Sequence, residues 1–139
     1  MSKSYKEYTS EELDLEPSIQ LQITNGDYLT ATLLTYSAIE YMTQQLLLIG
    51  AQQITPETYD KINRIKIQHA ALFLYYQKSI SVEELKLIDK LIGKRNDYTH
   101  DFIKKHLTKK KFSFDSFLKL YRKIFSLYTS KIGKSKTEV

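Results

Sequence analysis

Only four glycines and two prolines interrupt the 139 residues of this chain. A sandwich or barrel turns back on itself about every ten residues, and its turns draw on these two residue types. So few breakers predict helices, and the length suits a single domain with one core. The expected fold is all-α: an up-and-down antiparallel bundle of four main helices over residues 26–133. An irregular N-terminal arm over 1–25 should precede it, and a disordered polar tail over 134–139 should follow.

The first long helix is expected over about 27–49, stopped by Gly50. Leu29, Leu33, Tyr36, Thr43 and Leu47 share one stripe, and Glu40 falls on it too. A carboxylate there must find a partner or rise in pKa. The second helix, about 55–78, starts with Thr55 as N-cap and Pro56 in the first turn. Its stripe of Tyr59, Ile62, Ile65, His69, Leu72 and Tyr76 makes His69 a hydrogen-bonded core histidine. The third helix opens with the capping box Ser81-Val82-Glu83-Glu84 and carries Leu85, Ile88, Leu91 and Ile92 inward. Arg95 continues that series and is expected on the core side. The last helix, about 114–132, aligns Phe114, Phe117, Tyr121, Ile124, Tyr128 and Ile132 before Gly133 ends it. In the arm, Ile19, Leu21 and Ile23 alternate with glutamines, as in a strand. With no second strand to pair with, this reads as an extended segment packed on the bundle, closed by the Asn25-Gly26 break.

Cysteine is absent, so disulfides and thiolate zinc sites are excluded. No apolar run reaches a membrane span and the first residues lack a signal-peptide core, which predicts a cytoplasmic chain with no membrane partner. Charge is uneven. Residues 1–85 hold six basic and eleven acidic side chains, net −5, whereas 86–139 hold fifteen and five, net +10. A basic second half suits a polyanion, with Lys104, Lys105, Lys109, Lys110 and Lys111 as its densest part. The alternative is a solvated lysine-rich loop.

Within that basic half stands Arg95-Asn96-Asp97-Tyr98-Thr99-His100. It offers a permanent cation and a group that titrates near neutral pH, without a metal-ligand set. No two histidines are spaced i, i+4 and no acidic cluster accompanies them, so neither metal nor cofactor is expected. RNA cleavage fits this inventory. RNA carries its own nucleophile, the 2′-OH beside the scissile phosphate; histidine moves protons and arginine stabilises the phosphorane. In a straight α-helix, positions five apart differ by about 140° around the axis. Convergence of Arg95 and His100 therefore predicts a helix break, with Gly93 ending one helix and Asn96 capping the next. One pair is sparse for this chemistry, which predicts a symmetric homodimer with two. Glu40 is a candidate to orient Arg95 or His100, Lys94 joins the lysines as an RNA contact, and Tyr98 is a candidate base-stacking ring. The competing reading is a structural bundle in which Arg95 and Glu40 form a buried ion pair.

Arg95, Asn96 and His100 resemble the signature of the HEPN superfamily (higher eukaryotes and prokaryotes nucleotide-binding). That signature is an arginine, four to six residues, then a histidine, often with Asn, Asp or His directly after the arginine. The layout is similar too: a small helical bundle over roughly 27–132 with the motif on a late helix. The resemblance implies a metal-independent endoribonuclease, often a toxin or antiphage-defence effector, acting as a dimer with a composite site. Arg95 and His100 would be its catalytic pair and Asn96 its accessory polar residue. In family toxins paired with a nucleotidyltransferase antitoxin, a tyrosine two positions after the histidine is the modification target. Here that position is Phe102, a departure that counts against this mode of neutralisation. Other family members are non-catalytic binding modules for nucleic acid or a nucleotidyltransferase, the alternative reading.

Overall fold

The computed structural model describes residues 11–49, 55–100 and 113–137. Among them all regular structure is helical: α1 Glu16–Thr24, α2 Tyr28–Ile49, α3 Pro56–Asn63, α4 Ile67–Tyr76, α5 Val82–His100 and α6 Asp115–Thr137. The expected stop at Gly50 and the lysines at 104, 105, 109, 110 and 111 lie outside these residues.

The helix starts follow from local chemistry. Asp27 caps α2: its carboxylate accepts the Thr30 amide at 3.0 Å and the Thr30 hydroxyl at 2.7 Å. Thr55 caps α3 by accepting the Thr58 amide at 3.1 Å. Ser81 and Glu84 close a reciprocal capping box at the start of α5, at 3.1 and 2.7 Å. Gly26, with φ +77°, ends α1 in the left-handed conformation that Asn25-Gly26 predicts. There the Asp27 amide reaches the Gln22 carbonyl and the Gly26 amide that of Ile23, as in a Schellman stop.

α2 is the central element and packs against each of the other five helices. Ala31, Thr32, Thr35 and Ala38 let neighbours approach closely, while Ile39, Met42 and Leu46 fill the core. Its buried surface is therefore broader than the predicted stripe and displaced from it: Leu33 is exposed and Leu29 and Leu47 are only half-buried. Thr35 and Thr43 satisfy their hydroxyls on the carbonyls of Ala31 and Glu40. Ile88, Leu91, Leu120, Tyr121 and Ile124 complete the core from α5 and α6. Each aliphatic among them contributes about 1.5–3 kcal/mol by leaving water.

Four expectations are corrected. Residues 16–24 form a helix and not an extended arm. Ile19 and Ile23 are also an i, i+4 pair, Ile19 is fully buried and Leu21 is exposed, which is the helical phase. The segment leading into α1 is tied to α6: the buried Tyr121 hydroxyl accepts the Leu15 amide at 2.8 Å and donates to the Leu13 carbonyl. Beside it, Arg122 grips Glu16 with two bonds of 2.8 and 2.7 Å. The expected second helix is two, because the chain breaks at 64–66, where Gln44 of α2 donates to the Ile65 carbonyl at 2.9 Å. That break rotates α4, so Ile67, Ala70, Ala71 and Leu74 are buried while His69, Leu72 and Tyr76 face solvent; His69 is not a core histidine. Finally, neither Gly93 nor Gly133 stops a helix. α5 runs through the first and α6 through the second to Thr137, so residues 134–137 continue α6 and are not a disordered tail. One interior glycine costs only about 1 kcal/mol, which a packed helix of this length absorbs.

Candidate active site around Arg95

α5 presents Ile88, Leu91 and Tyr98 to the core. Arg95 lies on the same face, between Leu91 and Tyr98 in the i, i+3, i+4 pattern. Its guanidinium sits over the Tyr36 ring, 4.4 Å from the centroid, and Nη2 donates to the Tyr36 hydroxyl at 3.0 Å. That hydroxyl in turn faces Glu40 Oε2 at 3.4 Å. The connection expected between Arg95 and Glu40 is therefore made through a tyrosine, and the chain of contacts runs carboxylate, phenol, guanidinium across α2 and α5. Burial, then the Glu40 carboxylate, pushes the Tyr36 hydroxyl above its ordinary range, while Arg95 pulls it back. The hydroxyl stays protonated at neutral pH, so it donates toward Glu40 and accepts from Arg95 at once.

The helix break that the hexad's spacing predicts is absent. α5 is continuous from Val82 to His100, and Asn96 is an exposed residue in its middle, not an N-cap. No Asn96 side chain is needed there, because the amides of a helix interior already bond four residues back. His100 closes α5, about 140° around the axis from Arg95. Within one chain the two positions do not share a face, so their convergence by a break at Gly93 and Asn96 is overturned.

The remaining candidates divide. Tyr98 is buried, 8% exposed, so it offers no ring face for a base. Burial, with Asp27 as the next cause, pushes its hydroxyl up. Lys94 is half-buried and lines a cleft of about 390 Å³ between α5 and the start of α6, with Lys90, Asp97, Ser113 and Ser116. Lys104, Lys105, Lys109 and Lys110 fall outside the described residues, as does Phe102. No group of three or more His, Cys, Asp or Glu able to hold a metal occurs among the described residues, and no helix there is long and apolar enough to cross a membrane.

Tyr36 is the member of the site that the sequence places on a stripe without giving it a role. Its i, i+4 relation to Glu40 was a usable signal; its meeting with Arg95, 59 residues away, was not. Comparison with known proteins finds no matching family model, no matching curated protein and no matching solved structure, so the chemistry of this site is read from its own residues.

Proposed function

We propose that the chain is a metal-independent endoribonuclease of HEPN type that cleaves RNA by attack of the 2′-OH. The observation that carries the proposal is the held guanidinium: Tyr36 fixes Arg95 by a ring face and a hydroxyl, five residues before a histidine in the basic half of the chain. A cation whose position is fixed before substrate arrives stabilises a phosphorane without reorganising. Histidine at the end of the same helix supplies proton transfer near neutral pH. Since the two positions diverge on a continuous α5, the site is composite: Arg95 of one copy works with His100 of another in a homodimer. In this reading α2, the α3–α4 pair, α5 and α6 are the four main elements of an up-and-down bundle. The protein would act in the cytoplasm as a toxin or antiphage-defence effector, with an antitoxin as its other partner, a nucleotidyltransferase being the candidate type.

The test is growth of cells expressing the wild type against His100→Ala, together with cleavage of total RNA by the purified protein in chelator. Wild-type toxicity and cleavage, both lost in the variant, are expected. Equal growth with no cleavage refutes the proposal.

A second reading, a non-catalytic helical binding module, is favoured by one feature: the Arg95–Tyr36 contact also joins α5 to α2 and so gives the arginine a structural job. A silent module binds RNA equally well after His100→Ala, with salt-dependent affinity.

A further inference from the structure

Five of the seven large apolar side chains left exposed among the described residues gather on α4 and just after it, Leu72, Phe73, Tyr75, Tyr76 and Val82, while Leu21 and Leu33 stand elsewhere. Tyr76 is 72% exposed, Phe73 53% and Tyr75 36%. Tyr75 and Tyr76 line a cleft of about 560 Å³ together with Lys78, Glu84 and, from α6, Lys123. The two rings are tilted by 56° at 5.8 Å, so they do not stack on each other. The Glu84 carboxylate accepts the Ser81 amide at 2.7 Å and keeps its charge, so with the two exposed lysines the cleft carries a net charge of +1.

Lys78, in the same cleft, has an unusual backbone. It has φ 62°, and among the described residues it is the sole non-glycine with positive φ. It follows the last turn of α4, where its amide reaches the Tyr75 carbonyl and the next amide reaches that of Leu74, each at 2.9 Å. This is the helix-stop position at which glycine is the unstrained residue. A β-carbon there is disfavoured, and the local geometry gives no return for it. What the lysine does supply is an ammonium beside two exposed tyrosines.

We infer that this cleft binds single-stranded nucleic acid, with bases against Tyr76 and Tyr75 and backbone phosphates on Lys78 and Lys123. Exposed aromatic rings interleaved with cations are what a sequence-tolerant strand platform requires, since every base has a π-face and every step a phosphate. A second copy docked here by two-fold symmetry would instead bring both copies' Lys78 and Lys123 together, which like charges oppose. That the strand is RNA rests on the ribonuclease reading; the cleft and its charge do not.

The experiment measures binding of a labelled single-stranded oligoribonucleotide to the His100→Ala protein, in which the probe stays intact, and then to the same protein carrying Tyr76→Ala or Lys78→Gly. Tyr76→Ala should weaken binding about ten-fold or more, since each stacked base carries a large share of such affinity. Lys78→Gly should weaken binding and lower the slope of log affinity against log salt by about one. The same substitution should keep or raise the melting temperature, which separates lost binding from lost folding. Affinities indistinguishable from the parent's, or no binding by the parent, overturn the inference. So does a change of oligomeric state with unchanged RNA affinity, which would make the face a chain–chain contact. Cleavage by the wild type that ignores Tyr76 and Lys78 sinks this site alone; binding here without any cleavage sinks the ribonuclease alone.

Discussion

Removing the Tyr36 hydroxyl isolates the contact on which the candidate site stands. Tyr36→Phe keeps the ring beneath the Arg95 guanidinium, at 4.4 Å, and deletes the acceptor 3.0 Å from Nη2. A hydrogen bond to a charged group is worth about 1.5–3 kcal/mol. Arg95 is half-buried, so water recovers part of that loss and about 1 kcal/mol should remain. The Glu40 contact adds little, because 3.4 Å is at the weak end of hydrogen-bond distances. The cleanest measure is a double-mutant cycle with Arg95→Met, followed by urea unfolding in far-UV circular dichroism. Both single variants should unfold earlier, and the double variant should be less destabilised than their sum by about 1 kcal/mol. With a urea slope of about 1–3 kcal/mol per molar, that coupling is a midpoint difference of roughly 0.3–1 M. Additivity within about 0.3 kcal/mol would refute the bond between these groups and remove the preorganised cation from the functional argument.

Two further outcomes test the scaffold. Gly93 is exposed inside α5, and a β-carbon built on it meets nothing within 4 Å; Gly93→Ala should therefore stabilise by about 0.5–1 kcal/mol, read as a higher melting temperature, and a lower one would reinstate a helix break. The hydrogen bonds from Arg122, and then its charge, hold the Glu16 carboxyl below its ordinary value of 4.5. A depressed carboxyl contributes stability that is fully present above the unfolded value and fades as pH falls through the folded one. Glu16→Gln should accordingly flatten the loss of stability below about pH 4.5, and an acid limb identical to that of the wild type would count against the ion pair.

Features legible in the sequence are those whose cause is local. Thr55, the Ser81–Glu84 box and Asn25-Gly26 act within three or four residues, and each sits where its pattern predicts, whereas Asp27 caps α2 from just outside its first turn. The extent of α2 was legible as well, but not its inward face, because Ala31, Thr32, Thr35 and Ala38 carry little hydrophobic signal and contribute by being small. The break between α3 and α4 has no glycine or proline to announce it. Gln44 meets the chain there from another helix, and the rotation that follows turns His69 and Tyr76 to solvent. In α1, five residues were too few to separate a two-residue period from a four-residue one. At the site, the helical period of Leu85, Ile88 and Ile92 places Arg95 on the inward face of α5, where it lies. The hexad's spacing calls for a break only if Arg95 and His100 must converge within one chain. Tyr36 lay out of reach, since nothing local pairs residues on helices so far apart in sequence.

The bond between Tyr121 and Leu13 joins residues 108 positions apart, and this has a consequence during synthesis. Ribosomes add about 5–20 residues per second, so the Leu13–Glu16 segment waits roughly five to twenty seconds after its own emergence for α6 to appear. α1 can settle on α2 in the meantime, but the strap ahead of it has no hydroxyl to hold it and Glu16 no arginine. Throughout that interval the nascent chain leaves Leu13, which the finished molecule buries, without the tie that later covers it. A chaperone or a binding partner that recognises this acidic segment and its leucine would meet it untied only while the protein is being made.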